Sequence, residues 1–319
     1  VNLGLQTSTD AFNNSQTITN VENVTGTSLN DVIIGQDGVT NILYGLAGDD
    51  TFTITTNETG KSDYIYGGDG TADKIILSEN IDGTANDANS NLLVDPDASS
   101  SLYEITVDMT TDNNIEFISS GASNSTKFYN VENIDGSSKD DYIRADDQNN
   151  TITGGAGNDY IQGLGGADNI NAGSGNDIVE GGSGNDILDG GIGIDTLVYT
   201  NSTSGVTVNL NTLVSTGTNI GIDTISNFEN IVGSNSGDTL TGDNSTIVGN
   251  TIYGQGGADS IYGLAGNDEL HGGDGADYID GGIGNDNLFG DAGNDTFVTS
   301  AGDDTIDGGA GDSDTVDYS

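Results

Sequence analysis

Aspartate returns every nine residues over two long stretches of this chain, at 159, 168, 177, 186 and 195 and again at 259, 268, 277, 286, 295 and 304. No other feature narrows the accessible folds as much, because a short fixed period means one small unit stacked on copies of itself. The first stretch reads GGAGNDYIQ (154–162), GLGGADNIN, AGSGNDIVE, GGSGNDILD and GGIGIDTLV. The second runs from GQGGADSIY (254–262) through GLAGNDELH, GGDGADYID, GGIGNDNLF and GDAGNDTFV to TSAGDDTID. Both fit GGxGxDxUx, with U apolar. Glycine at the first, second and fourth places admits turn conformations closed to residues with a Cβ and brings carbonyl oxygens toward a shared point. The last three residues, such as Tyr160-Ile161-Gln162, suit a very short strand whose eighth-position side chain points inward. Ile161, Ile170, Val179, Leu188 and Leu197 then stack as a thin core. Two nonapeptides complete one coil, so aspartates 18 apart fall on the same side of adjacent coils.

Charge decides what those aspartates need. Asp and Glu number 51 against 5 Lys and Arg, a formal net charge of −46, so closing any compact structure is opposed by self-repulsion unless cations offset it. A nucleic-acid partner is argued against, since phosphate binding requires the Lys and Arg that are missing. A disordered acidic chain or a halophile-style surface would explain the charge, but neither explains a strict register of Asp, Gly and aliphatic residues. With no cysteine and one histidine, thiolate and imidazole sites for zinc, copper or iron are disfavoured. Calcium fits better than magnesium, because it takes six to eight carboxylate and carbonyl oxygens in flexible geometry. The 18-residue pairs are Asp141–Asp159, Asp159–Asp177, Asp168–Asp186, Asp177–Asp195, Asp259–Asp277, Asp268–Asp286, Asp277–Asp295 and Asp286–Asp304, each a candidate calcium site.

In these residues the chain resembles the RTX (repeats-in-toxin) family, secreted bacterial proteins whose nonapeptide arrays wind into a parallel β-roll. The resemblance implies an all-β fold of tandem calcium-binding coils, several Ca2+ ions as cofactor, unfolded export by a type I secretion system, and folding outside the cell. It places calcium between neighbouring coils, held by sixth-position aspartates and the backbone of glycine-rich turns. On this sequence those are Asp31, Asp50, Asp141, Asp159, Asp168, Asp177, Asp186, Asp195, Asp238, Asp259, Asp268, Asp277, Asp286, Asp295 and Asp304, with Gly155, Gly157, Gly166, Gly175, Gly182, Gly184, Gly257, Gly266, Gly273, Gly275, Gly282 and Gly284. Asn150 stands where an Asp is expected in the degenerate repeat 145–153. The stretch Gly242 to Tyr253 is three residues too long for one repeat, which predicts a loop bulging from the roll.

The N-terminal part keeps the pattern loosely, in GTSLNDVII (26–34) and GLAGDDTFT (45–53), with Asp63 and Asp73 in weaker copies. A longer repeat overlies the short one. Val21-Glu22-Asn23-Val24, Val131-Glu132-Asn133-Ile134 and Phe228-Glu229-Asn230-Ile231 each precede a run, and alternating strands at Val1–Leu3, Ile105–Met109 and Val206–Leu210 open the segments. Three tandem modules follow as the expectation: 1–80, 103–200 and 201–319, with 81–102, which holds the only proline, Pro96, as an inserted loop or linker. The Glu-Asn blocks read as strand-like caps leading into the first coil. A catalytic role for Glu22, Glu132 or Glu229 is disfavoured because no matching acid, base or histidine accompanies them.

The chain is therefore read as no enzyme. HExxH and GxSxG motifs are absent, and His271 sits at an outward ninth position. Gly60-Lys61-Ser62 does not complete a phosphate-binding loop, since Thr55 stands where the first glycine is needed. No run of 18 apolar residues exists, so no transmembrane helix is expected, and Val1 opens no secretory signal; any export signal is expected elsewhere. The preferred role is an extracellular scaffold, adhesin or surface-layer element whose partners are calcium and other copies or neighbouring modules. The alternative is an accessory region of a secreted enzyme or toxin, binding a polysaccharide.

Overall fold

The computed structural model describes residues 1–2, 7–9, 15–17, 21–35, 41–55, 64–68, 74–78, 105–111, 114–116, 127–129, 133–136, 140–298, 300–311 and 313–318. The expected linker 81–102, Asp63, Asp73, Gly60-Lys61-Ser62 and Val131-Glu132 lie outside the described residues. Every regular element among the described ones is a β-strand, and no helix there is long and apolar enough to cross a membrane. The chain forms two compact units, Val1–Gly163 and Leu164–Ser319.

In each unit short strands build two parallel ladders, visited alternately as the chain coils. The period of 18 is explicit in the register. Ile143 pairs with Ile161 in the first unit, and Ile170 with Leu188, Leu270 with Leu288 and Ile279 with Phe297 in the second. Successive side chains in a strand point to opposite faces, so every eighth-position residue is directed inward. The result is two columns of apolar side chains in each unit. Ile33, Phe52, Ile134 and Ile152 fill one column of the first unit and Leu43, Ile65, Ile143 and Ile161 the other, all nearly inaccessible. In the second unit Ile170, Leu188, Ile225, Leu240, Ile261, Ile279 and Phe297 oppose Val179, Leu197, Ile231, Ile252, Leu270 and Leu288. Each such side chain contributes about 1.5–3 kcal/mol by burial, a modest core for so long a chain. Strands on the expected three-residue pattern, such as Tyr160–Gln162 and Tyr278–Asp280, are joined by longer ones that run on into the turn, such as Glu269–Gly275 and Asn287–Gly293.

Three features depart from a uniform coil. The strands expected to open modules two and three lie in antiparallel meanders inserted into the parallel ladder, Ile105–Thr111 with Asn114–Glu116 and Lys127–Tyr129, and Val206–Asn209 with Val214–Gly217 and Gly221–Ser226. Two of the three Glu-Asn blocks are rungs rather than caps, while Asn23–Thr25 of the first ends its ladder among the described residues, paired with Ile42–Leu46. Asn133–Asp135 pairs on both sides, with Lys74–Ser78 and Thr151–Ala156, and Asn230–Val232 pairs with Thr196–Val198 and Thr251–Tyr253. The expected bulge is present. Leu240 pairs with Ile261 and Ile231 with Ile252, a step of 21 in place of 18, and Ile247 at the tip is 93% exposed.

Candidate metal centre

The sixth-position aspartates are buried although ionisable. Asp141, Asp159, Asp168, Asp177, Asp186, Asp195, Asp259, Asp268, Asp277, Asp286 and Asp295 are all nearly inaccessible. One reason is a backbone debt: the N–H at the end of each turn needs an acceptor. The Oδ1 of the aspartate one coil later supplies it. Asp141 N–H donates to Asp159 Oδ1 at 2.8 Å, Asp168 to Asp186 at 2.9 Å, Asp177 to Asp195 at 2.8 Å, Asp259 to Asp277 at 2.8 Å, Asp268 to Asp286 at 2.9 Å, Asp277 to Asp295 at 2.9 Å and Asp286 to Asp304 at 3.2 Å. Asp31 donates to Asp50 in the same way at 2.8 Å.

That bond uses one carboxylate oxygen. The Oδ2 atoms of Asp186, Asp195, Asp259, Asp268, Asp277, Asp286 and Asp295 are buried with no hydrogen-bond partner. A buried, partnerless carboxylate oxygen is costly, and burial disfavours its charged form. Asp259 is accordingly pushed up to about 7, by burial first, against the Asp238 N–H that it accepts, with the charges of Asp277 and Asp238 adding to the rise. Asp268 rises to about 6 for the same reason, with Asp286 as the nearby charge. Asp186, Asp195, Asp277, Asp286 and Asp295 shift in the same direction, burial leading each time.

The glycines open the space beside these oxygens. Eleven of the twelve candidate turn glycines take positive φ, Gly275 being the exception. At Gly284 (φ +157°) a side chain would run into the Gly266 carbonyl oxygen of the preceding coil and stand 2.9 Å from Asp286 Oδ1. At Gly254 it would meet both Asp259 Oδ2 and the Gly272 carbonyl of the following coil. Carboxylate and carbonyl oxygens thus converge where a Cβ is missing. Among the described residues no three acidic or imidazole side chains gather at one point, so a cation between coils would draw on two carboxylates supplemented by carbonyls. An all-oxygen set of this kind fits calcium.

Not every sixth-position residue is alike. Asp238 is enclosed by the Ser234 N–H at 2.6 Å, the Ser234 hydroxyl at 2.9 Å and the Val206 N–H at 2.7 Å, so its oxygens are engaged by protein. Asp31 is partly exposed and accepts from Thr27 N–H at 2.5 Å and Thr27 Oγ1 at 3.0 Å. Asn150 is buried at its aspartate position.

The ladder also recruits residues that the nonapeptide register misses. Asp186 N–H donates to Asp223 Oδ1 at 3.1 Å, Asp195 N–H to Glu229 Oε2 at 2.8 Å and Asp295 N–H to Asp314 Oδ1 at 3.0 Å. Asp314 lies ten residues beyond Asp304, so counting on by nine stops one residue short of it, at Ser313, while Asp223 in GIDTIS (221–226) echoes GIDTLV (193–198) and could have been found by that half-repeat. A second ladder uses the fifth position. Asn285 N–H donates to Asn267 Oδ1 at 2.9 Å, Asp303 to Asn285 at 2.8 Å and Ile194 to Asn176 at 3.0 Å, in each case back toward the preceding coil. The recurrent Asn before Asp was its signal. His271, expected to stand alone at the surface, is instead stacked between Tyr253 (4.6 Å) and Phe289 (4.5 Å), with Glu269 at 3.2 Å and Asp291 at 3.4 Å. Rings at one position of successive coils meet as the coils stack. Glu180, at the same ninth position of its repeat, is 5% exposed and accepts from Asn201 Nδ2 at 2.8 Å.

The family model of the RTX calcium-binding nonapeptide repeat (4 copies) matches residues 25–53, 131–161, 162–197, 253–288 and 280–313. No curated protein matches the chain. Coil register, buried aspartate ladder and matched repeats agree: the chain belongs to the RTX calcium-binding nonapeptide repeat family, and its cofactor is calcium.

Proposed function

We propose that this chain is the calcium-folded structural region of a secreted or cell-surface bacterial protein, serving as an extracellular scaffold, adhesin or surface-layer element. The observation that carries the reading is the row of buried Oδ2 atoms at Asp186, Asp195, Asp259, Asp268, Asp277, Asp286 and Asp295, repeated coil after coil without a protein partner. The calcium ligands are the sixth-position aspartates together with the carbonyls of the glycine-rich turns, with Asp238 the weakest member because its oxygens are already engaged. Bound calcium supplies the positive charge and oxygen coordination that seven partnerless carboxylate oxygens lack. The aspartates hold the turn N–H groups, the glycines keep the space clear, and the Ile/Leu columns close once repulsion is offset. In a calcium-poor cytosol the same carboxylates keep the chain expanded, which suits export in the unfolded state through a type I system.

Repetition over three modules, 1–80, 103–200 and 201–319, favours a scaffold over an accessory region. Light scattering of the calcium-loaded chain tests the choice. Growth in mass with calcium supports the scaffold; a strict monomer that retains an acidic or neutral polysaccharide supports the accessory region.

A further inference from the structure

Between Val198 and Tyr253 the nonapeptide is interrupted and the repeat model has no match, yet one edge of the carboxylate ladder continues. Asp195 N–H is met by Glu229 Oε2, 34 residues on, at the 2.8 Å found in regular coils. The strands stay in step, with Leu197 beside Ile231, and the N–H groups of Glu229 and Asn230 both reach the Asp195 carbonyl, at 3.1 and 2.9 Å. The coil above spends only six residues between its inward positions, Ile225 and Ile231, where the coil below spends nine between Leu188 and Leu197. The longer glutamate side chain occupies the aspartate's place in that shortened turn.

Asn227 has φ +54°, a left-handed conformation that residues with a Cβ rarely adopt. Its carbonyl oxygen and Asp195 Oδ2 converge on the open face of Gly190, the latter 3.0 Å from where a Cβ would stand. Gly272 O and Asp259 Oδ2 converge on Gly254 in the same way in a regular coil. Asp195 is 0% exposed, and its Oδ2 has no hydrogen-bond partner. The interruption on the opposite edge is built differently. There Asp223 Oδ2 is taken by Ser215 Oγ at 2.8 Å and Tyr199 Oη at 3.3 Å, so it is closed by protein.

We propose that Asp195, Glu229 and the Asn227 carbonyl form a calcium site that no repeat motif marks, carrying the row of ions across the interruption. This rests on calcium occupying the regular turns. Native mass spectrometry of the calcium-loaded full chain counts the ions directly. Glu229→Gln keeps an oxygen for the Asp195 N–H but removes the charge, and should bind one ion fewer than wild type with unchanged circular dichroism. Glu180→Gln, outside the ladder, should keep the full count. Should Glu229→Gln fold poorly, Glu229→Asp retains the charge on a shorter arm and should lose one ion at limiting calcium and regain it at high calcium. Wild-type counts in Glu229→Gln, or in Glu229→Asp at limiting calcium, overturn this site alone. A wild-type chain that binds no calcium overturns both this site and the proposed function.

Discussion

Replacing Asp277 by asparagine separates the two duties of a sixth-position carboxylate. Asp277 Oδ1 accepts the Asp259 N–H at 2.8 Å, and the Asp277 N–H donates to Asp295 Oδ1 at 2.9 Å. An asparagine side-chain oxygen accepts the first bond equally well, and the second uses only the backbone N–H of residue 277 toward Asp295 Oδ1, so the ladder survives. What disappears is the charge and the partnerless Oδ2. Without calcium that loss is a relief, because burial, with Asp295 nearby, holds Asp277 above the usual carboxylate range. The calcium-free variant should be at least as ordered as wild type. With calcium the sign reverses. Asp277 borders two layers, one shared with Asp259 and one with Asp295, and a layer filled at a hundred times its Kd stabilises by about 2.7 kcal/mol. Losing both lowers stability by about 5 kcal/mol, a factor of several thousand in the folding equilibrium. Urea unfolding in saturating calcium reads the calcium-bound arm, and the β signal of the EDTA-treated chain, followed by circular dichroism, reads the calcium-free one. An equal loss in the two conditions would refute the assignment, since Asp277 would then act through its hydrogen bond alone.

Three further perturbations test the fold and the charge argument. Ile279→Ala empties a 0% exposed position between Ile261 and Phe297 and should cost about 2–5 kcal/mol in calcium-bound unfolding; a change below 1 kcal/mol would mean the column is not the core. Gly284→Ala drives a Cβ into the Gly266 carbonyl at φ +157° and should cost about 3 kcal/mol and raise the calcium needed for folding, whereas an unaffected midpoint would contradict the close approach of the coils. Acid should stand in for calcium. Asp259 at about 7 and Asp268 at about 6 lie above the ordinary value, so their contribution to folding is fully present below about pH 4 and is lost as pH rises through 6 to 7. The EDTA-treated chain should gain β signal on acidification to pH 4, and a chain more ordered at pH 8 than at pH 4 would oppose this.

The nine-residue spacing makes much of this architecture readable in advance. Apolar residues such as Ile261, Ile279 and Phe297 recur at one place of the motif, and two motifs per coil put them 18 apart, as the register has them. The three-residue surplus between Gly242 and Tyr253 reads as a bulge because a parallel ladder has nowhere else to put it. The antiparallel meanders are less legible, since Val206–Asn209 and Val214–Gly217 alternate like any strand and nothing local specifies a partner's direction. Glu229 is hidden for the same reason: its place depends on where the chain rejoins the ladder after an excursion, and a spacing of 34 carries no period, whereas Asp223, 37 residues from its partner, shows only through the echo of GIDTLV (193–198) in GIDTIS (221–226). The role of Asn267 and Asn285 was visible only as a preference before Asp, because a hydrogen bond to the neighbouring coil needs the coil to be built first. His271 looks solitary in sequence and becomes stacked only when Tyr253 and Phe289 arrive from 18 residues either side.

The most direct test of calcium-driven folding is a calcium titration of the EDTA-stripped full chain at pH 7.5, followed by circular dichroism, with magnesium as control. The buried carboxylates predict little β signal without metal, a cooperative gain at extracellular calcium levels on the order of millimolar, and no comparable gain with magnesium. A stripped chain that is already folded, and that calcium leaves unchanged, would contradict the account.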